Sequence, residues 1–260
     1  MTLLRLETSG LAPDPETALA TLLTSPPGAD DLIKDEPQTR VWHAALPSGA
    51  AVVVKTYRRR SLLDFTRESL TRYRAQREFD ALRFLVAAGV PCSRPVCWAC
   101  GDDAADGRFE SLVTFEEPDT VGLKAWLRSG AADDRWIEPV AALVRQGHEA
   151  GFYHGALAPR NILLRPANGA GAACLFIDTP KSIVFPRSIV GTRMARHDLM
   201  TMLGEVCRVA GDASLAPFLS SYGEPDAAIP ALVERIRRYR PNRNTRSRMR
   251  AEFLIRRRFG

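Results

Sequence analysis

The stretch His154-Gly155-Ala156-Leu157-Ala158-Pro159-Arg160-Asn161-Ile162-Leu163-Leu164, with the later run Cys174-Leu175-Phe176-Ile177-Asp178, decides the fold of this 260-residue chain. Its two short apolar runs, 162–164 and 174–177, flank a glycine-rich turn at 168–171 and read as paired strands. Asn161 stands just before the first strand and Asp178 just after the second. Antiparallel pairing brings those two positions to one end of the hairpin, so an amide oxygen and a carboxylate are held side by side. Hard oxygen ligands of that kind suit Mg²⁺ carrying nucleotide phosphates.

Upstream, residues 40–46, the turn Pro47-Ser48-Gly49 and residues 50–55 read as two strands, the second β-branched at Val52 to Val54 and ending on Lys55. An arginine-rich segment follows, and then a helix over 75–88 that stops at Gly89-Val90-Pro91. Phe79, Leu82, Leu85 and Val86 form its apolar stripe, and Glu78 shares their side. A carboxylate on an inward face needs a cationic partner. Lys55 is the natural candidate, the alternative being a glutamate that flanks the core and reaches water. A further strand at 111–115 runs into the polar connector Glu116-Glu117-Pro118-Asp119, and helical periodicity covers 136–150 before Gly151. Residues 11–30, rich in proline, read as a mixed helix-and-loop lead-in.

The composition, 45% apolar and 25% charged, is that of an ordinary globular protein. No run of 18 apolar residues is present, and the first residues do not read as a signal peptide, so a cytoplasmic location is expected. Five cysteines suggest no disulfide framework. Cys97 and Cys100 have a metal or redox spacing with Cys92 nearby, but no second ligand pair accompanies them, and two thiols on a half-buried strand are the plainer expectation. Charge is unevenly spread. Residues 231–260 hold eleven arginines and two glutamates against a total of +6, and a second basic cluster runs from Arg58, Arg59 and Arg60 through Arg67, Arg72, Arg74 and Arg77. Such blocks attract phosphate-rich partners: nucleic acid, anionic lipid or phosphorylated sugars.

The order and spacing of these segments resemble the lipopolysaccharide kinase (Kdo/WaaP, InaA-like) family of protein-kinase-like proteins. The resemblance rests on the Lys55 strand, Arg77-Glu78-Phe79-Asp80-Ala81-Leu82, Gly89-Val90-Pro91, His154-Gly155-Ala156-Leu157, Arg160-Asn161-Ile162-Leu163 and Ile177-Asp178, and spans residues 30–210. It implies an α+β, two-lobed fold: a small antiparallel sheet with one helix in an N-lobe of residues 1–118, a mainly helical C-lobe of 119–230, and a basic C-terminal segment of 231–260. It further implies that ATP binds in the cleft between the lobes. Lys55 would hold the α- and β-phosphates with Glu78 orienting it, the backbone near Glu116 and Glu117 would take adenine, and Asn161 and Asp178 would bind Mg²⁺. His154 belongs to the catalytic loop. Asp198 resembles the acid that opens the next helix and anchors that loop, the alternative being a plain N-cap.

Two departures stand out. The place of a phosphate-covering glycine loop is taken by Lys34-Asp35-Glu36-Pro37-Gln38-Thr39-Arg40, which has no glycine, leaving Arg40 or backbone amides to serve. No G-x-x-x-x-G-K-[ST] motif occurs, which excludes a Walker-type NTPase. The second departure is at the catalytic base, normally aspartate, where this chain has Ala156. Alanine accepts no proton. Three functions compete: an ATP-dependent kinase acting on a lipid-linked anionic saccharide at the inner face of the cytoplasmic membrane, a pseudokinase that binds nucleotide or a partner as a regulator, and a nucleic-acid binder. The last is disfavoured because no nucleic-acid module accompanies the charge.

Overall fold

The valine-rich strand Ala51–Arg59 lies inside a six-stranded antiparallel sheet that organises the first of two units, Met1–Pro118 and Asp119–Gly260. The computed structural model describes residues 2–10, 16–25, 27–59, 73–103, 107–129, 134–165 and 173–240. In the first unit the strands are β1 (Thr2–Thr8), β2 (Leu32–Glu36), β3 (Thr39–Ala45), β4 (Ala51–Arg59), β5 (Pro95–Asp103) and β6 (Gly107–Phe115), in the order β1-β5-β6-β4-β3-β2. Alternation along β4 sends its side chains to two faces. Val52 and Val54 join Trp42, Val96, Cys97 and Val113 on one face, where helix α1 (Glu16–Thr24) covers them with Leu19 and Leu23. Each such buried aliphatic side chain contributes about 1.5–3 kcal/mol. The other face carries Lys55 and Tyr57 and packs against α2 (Arg74–Ala87).

Helix α2 starts without a side-chain cap from Tyr73; instead the buried Glu110 carboxylate on β6 accepts from the Ala75 N–H at 2.9 Å. A negative charge there also complements the positive end of the helix. The helix ends in a Schellman arrangement, with Gly89 N–H on Val86 O and Val90 N–H on Leu85 O, and Gly89 at φ +70°. Phe79, Leu82 and Leu85 are buried as the stripe requires, but Val86 is 37% exposed: it sits on the far edge of the stripe, in the last turn. Two strands of this first unit lie outside the sequence reading. One is β1, and the other is β2, whose residues are all exposed on the sheet edge and therefore show no apolar alternation. The nine-residue β4 also continues four residues beyond Lys55, so that lysine is mid-strand rather than terminal.

The second unit is mainly helical: α3 (Leu123–Arg128), α4 (Ile137–Glu149), α5 (Arg193–Ala210), α6 (Leu215–Tyr222) and α7 (Ile229–Arg238). Ile137, Val140, Ala141 and Val144 form the inward stripe of α4, which packs on α6, and Trp136 meets Phe218 with ring centres 6.0 Å apart. Two small sheets complete the unit. One has the order β10-β9-β7, with β7 (Val121–Gly122), β9 (Ile162–Arg165) and β10 (Ala173–Phe176); the other pairs β8 (Phe152–Tyr153) with β11 (Ile183–Val184). The 168–171 turn lies outside the described residues, as do Arg60, Arg67, Arg72 and residues 241–260. Among the described residues no helix is long and apolar enough to cross a membrane.

Candidate active site

On the α2 face of the first sheet, Lys55 Nζ lies 3.3 Å from each carboxylate oxygen of Glu78, which is 1% exposed. The helix-face argument from sequence is enough to bring these two together. What it missed is Tyr57, two residues along the strand and therefore on the same face. Its hydroxyl donates to Glu78 Oε2 at 2.6 Å, a short charge-assisted bond. The Tyr57 ring in turn lies under two cations, with Arg74 Cζ 4.2 Å and Lys55 Nζ 5.1 Å from its centre. The glutamate is thus held by a cation and a phenol, and the ammonium has a fixed position on the sheet face, its side chain 17% exposed.

The glycine-free segment 34–40 forms the β2–β3 hairpin. Asp35 there accepts from Arg40 Nη2 at 3.0 Å and lies 3.3 Å from Arg58 Nη1. The Arg40 hydrogen bond, reinforced by the charges of Arg40 and Arg58 against a smaller burial cost, holds the Asp35 carboxyl below the usual aspartate range. Arg40 is therefore already engaged within its own hairpin. In the connector, the Glu116 N–H donates to Ala51 O and its carboxylate lies 3.2 Å from His43 Nδ1. Cys97 and Cys100, three apart on a strand, face opposite sides of the sheet and cannot share a ligand; burial pushes the Cys97 and Cys92 thiols up to about 12.

In the second unit the 154–161 loop is held by its main chain. The fully buried Asp198 accepts from His154 N–H at 2.8 Å through Oδ2 and from Gly155 N–H at 3.0 Å through Oδ1. Gly155 is at φ +73°, and a Cβ there would come within 2.6 Å of Lys181 O, so only glycine fits. Asp198 does not open its helix: α5 begins at Arg193, with Thr192 Oγ1 accepting from Ala195 N–H, and Asp198 lies in the second turn. The N-cap alternative falls, and the loop contact stands. His148 Nε2, 3.5 Å from Asp198 Oδ2, and Tyr222, hydrogen-bonded to His148 Nδ1 at 2.8 Å, back this carboxylate; neither was singled out from sequence. His154 itself is buried edge-on to Phe152 and Phe176. Burial lowers its pKa from the ordinary histidine range, against the opposing pull of the Asp198 and Asp178 charges.

Asn161 ends a 3₁₀ turn (Pro159–Asn161), and its Nδ2 donates to Ala156 O at 3.0 Å. That bond leaves the amide oxygen as the end able to face a cation. Ile177 N–H donates to Asn161 O at 3.0 Å, one step beyond the Phe176–Ile162 pair, so Asp178 follows directly at the end of the hairpin that Asn161 begins. Asp178 has φ +57°, a conformation that side-chain-bearing residues adopt at a cost and that concentrates at functional sites. Ala156 is 9% exposed, between the anchored Gly155 and the Asn161 contact.

The profile of the lipopolysaccharide kinase (Kdo/WaaP) family matches residues 31–222. The chain belongs to this family. Among solved structures, this Kdo/WaaP-family chain is similar to WaaP in complex with acyl carrier protein, at 21% identity and a TM-score of 0.61 over 89% of this chain and 97% of that one. The Rio2 kinase from Chaetomium thermophilum matches at 16% identity and TM-score 0.50, covering 84% of this chain and 76% of that one. A Stt7 homolog from Micromonas algae soaked with ATP matches at 13% and 0.50, covering 80% and 81% respectively. At these identities the likeness is one of fold, an α+β kinase-like architecture. A comparison with proteins of curated function finds no match.

Proposed function

We propose that this Kdo/WaaP-family chain binds Mg·ATP and passes the γ-phosphoryl group slowly to a hydroxyl of a lipid-linked anionic saccharide at the inner face of the cytoplasmic membrane. The observation that carries this reading is the Lys55–Glu78 pair, an ammonium fixed on the α2 face of the sheet by a buried carboxylate. Lys55 would hold the α- and β-phosphates, while Glu78 and Tyr57 act as positioning residues. Asn161 and Asp178 would hold Mg²⁺, and their donor set fits: an amide whose Nδ2 is taken by Ala156 O, leaving its oxygen as the ligand end, and a carboxylate on a left-handed backbone. Among the described residues no cluster of three or more His, Cys, Asp or Glu is placed to hold a metal ion. A Mg²⁺ that arrives with nucleotide phosphates needs only one or two protein carboxylates. When bound, the ion would neutralise charge on the transferring group.

In the transfer, the acceptor oxygen forms a bond to the γ-phosphorus, the bond to the β–γ bridging oxygen breaks, and the acceptor proton passes to water because Ala156 offers no acceptor. A general base typically contributes about 10²–10⁴-fold, and a loose transition state depends more on cations, so slow transfer is compatible with alanine. In the connector, Glu116 N–H is already on Ala51 O, and other backbone groups near Glu116 and Glu117 would take adenine.

Ala156 also favours a second reading, a pseudokinase that binds nucleotide as a regulator. The Stt7 homolog was soaked with ATP, which supports nucleotide binding in either case, and WaaP's acyl carrier protein makes the same protein a candidate partner here. The deciding experiment is an ATP titration with and without Mg²⁺ on wild type and Asp178→Ala, then a single-turnover assay with a phosphate-free lipid-linked core oligosaccharide. Mg²⁺-dependent binding lost in Asp178→Ala, with slow product formation, supports the transferase. Binding without product supports the pseudokinase, and no binding at millimolar ATP removes both.

A further inference from the structure

Helix α3 packs against the Pro159–Asn161 turn, and β7 just ahead of it pairs with β9. Between helix and turn lies an open groove of about 500 Å³ lined by Gly122, Lys124, Ala125, Arg128, Ser129 and Arg160. Three of these six are cations. Arg160 immediately precedes Asn161, so the groove adjoins the loop that carries Ala156. Glu205 on α5, only 14% exposed, bridges two of the cations: Lys124 Nζ lies 2.7 Å from Oε1, and Arg160 Nη1 lies 3.4 Å from Oε2. The carboxylate braces them without cancelling them, since one negative charge faces three positive ones. Arg160 remains 55% exposed at its side chain, and Arg128 is exposed with no carboxylate in ion-pair range among the described residues.

We infer that this groove is the subsite that docks a phosphate monoester carried by the acceptor, so that the acceptor is already phosphorylated elsewhere on the molecule. The excess of two positive charges matches a phosphate monoester, which carries about −1.5 to −2 at neutral pH, better than it matches a single carboxylate. Arginine's planar fork suits phosphate oxygens, and Arg128 and Arg160 supply two such forks. The volume falls in the range of small-ligand clefts, about 300–1,000 Å³, and takes a phosphorylated monosaccharide. Ser129 contributes lone pairs only, its hydroxyl proton being given to Trp126 O at 2.8 Å. The role as acceptor subsite rests on the phosphotransferase reading; the anion site itself rests on the groove alone.

The test uses the full chain and simple probes: mannose 6-phosphate, mannose and inorganic phosphate, followed by ligand NMR at two salt concentrations, with Mg·ATP affinity measured in parallel. Mannose 6-phosphate is expected to bind at least about 10-fold more tightly than mannose, to weaken with salt, and to be displaced by inorganic phosphate. Arg128→Glu should weaken it by about 10-fold or more and leave Mg·ATP affinity unchanged. Arg128→Ala, which introduces no new charge, should give a smaller loss in the same direction and guards against a folding defect. Equal binding of mannose and mannose 6-phosphate, or equal binding by wild type and both variants, overturns the assignment. A fall in Mg·ATP affinity in Arg128→Glu overturns it as well, because the groove would then serve the nucleotide. If wild type binds no ATP yet binds mannose 6-phosphate through Arg128, the anion site stands while the phosphotransferase reading fails.

Discussion

Substituting Glu78 by glutamine keeps the shape of the side chain and removes its charge from a position that is 1% exposed. Removing one partner of a buried pair costs about 3–5 kcal/mol. Lys55 keeps 17% of its side chain in solvent and can recruit water, which places the cost near the lower bound, about 3 kcal/mol. Tyr57→Phe deletes the 2.6 Å bond to the carboxylate, and a hydrogen bond to a charged acceptor is worth about 1.5–3 kcal/mol. The two changes share one carboxylate, so the double variant should lose about 1–2 kcal/mol less than the sum of the singles. Urea unfolding of the four proteins measures this directly. In a chain of this size, the Glu78→Gln loss should also lower Tm by about 2–4 °C per kcal/mol. A Glu78→Gln cost under about 0.5 kcal/mol, or additivity of the two substitutions, would refute the idea that lysine, phenol and carboxylate act as one unit.

Ala156→Asp should raise turnover on the lipid-linked acceptor by about 10²–10⁴-fold with Mg·ATP affinity little changed, since a base acts in the transition state; unchanged turnover would favour the pseudokinase. His154 is buried with a lowered pKa, so below about pH 6.5 the unfolded chain takes up a proton that the folded chain refuses. Stability should therefore fall on acidification by up to about 1.4 kcal/mol per pH unit, and His154→Phe should flatten that part of the profile relative to wild type. Residues 241–260, with seven arginines, should bind anionic vesicles at about 1 kcal/mol per arginine near the surface, and ending the chain at Arg240 should abolish the effect; equal binding to neutral lipid would count against it. The cut belongs at Arg240 because Ile236 is buried and Arg237 pairs with Asp212, so an earlier stop would damage α7.

Much of this was legible because two periodicities do the placing. The helical spacing of Phe79, Leu82 and Leu85 fixed the side on which Glu78 lies, and the hairpin reading of 162–177 fixed the end of the strand pair at which Asn161 and Asp178 stand. Less was legible where no apolar alternation exists. Edge strand β2 is exposed at every residue, and the arginines after Tyr57 hid the continuation of β4 past Lys55. Tyr57 was overlooked for that reason: with the strand ended at Lys55, its hydroxyl had no face. The Glu110 contact to α2 joins residues far apart in sequence through a backbone amide, which carries no sequence signature, and the Asp198 contact to the loop is of the same kind and was legible only through the family resemblance. The N-cap alternative for Asp198 failed because Thr192, a better-placed oxygen, already serves.

The loop from His154 to Asn161 is secured through main-chain atoms: two N–H groups on Asp198, and one carbonyl on the Asn161 amide. The side chain at 156 enters none of these bonds. Scaffold and chemistry are therefore separable here, and an exchange of aspartate for alanine alters what the loop can do without altering how it is built. A lineage could lose the base, and a later one regain it, by single steps through proteins that all remain folded.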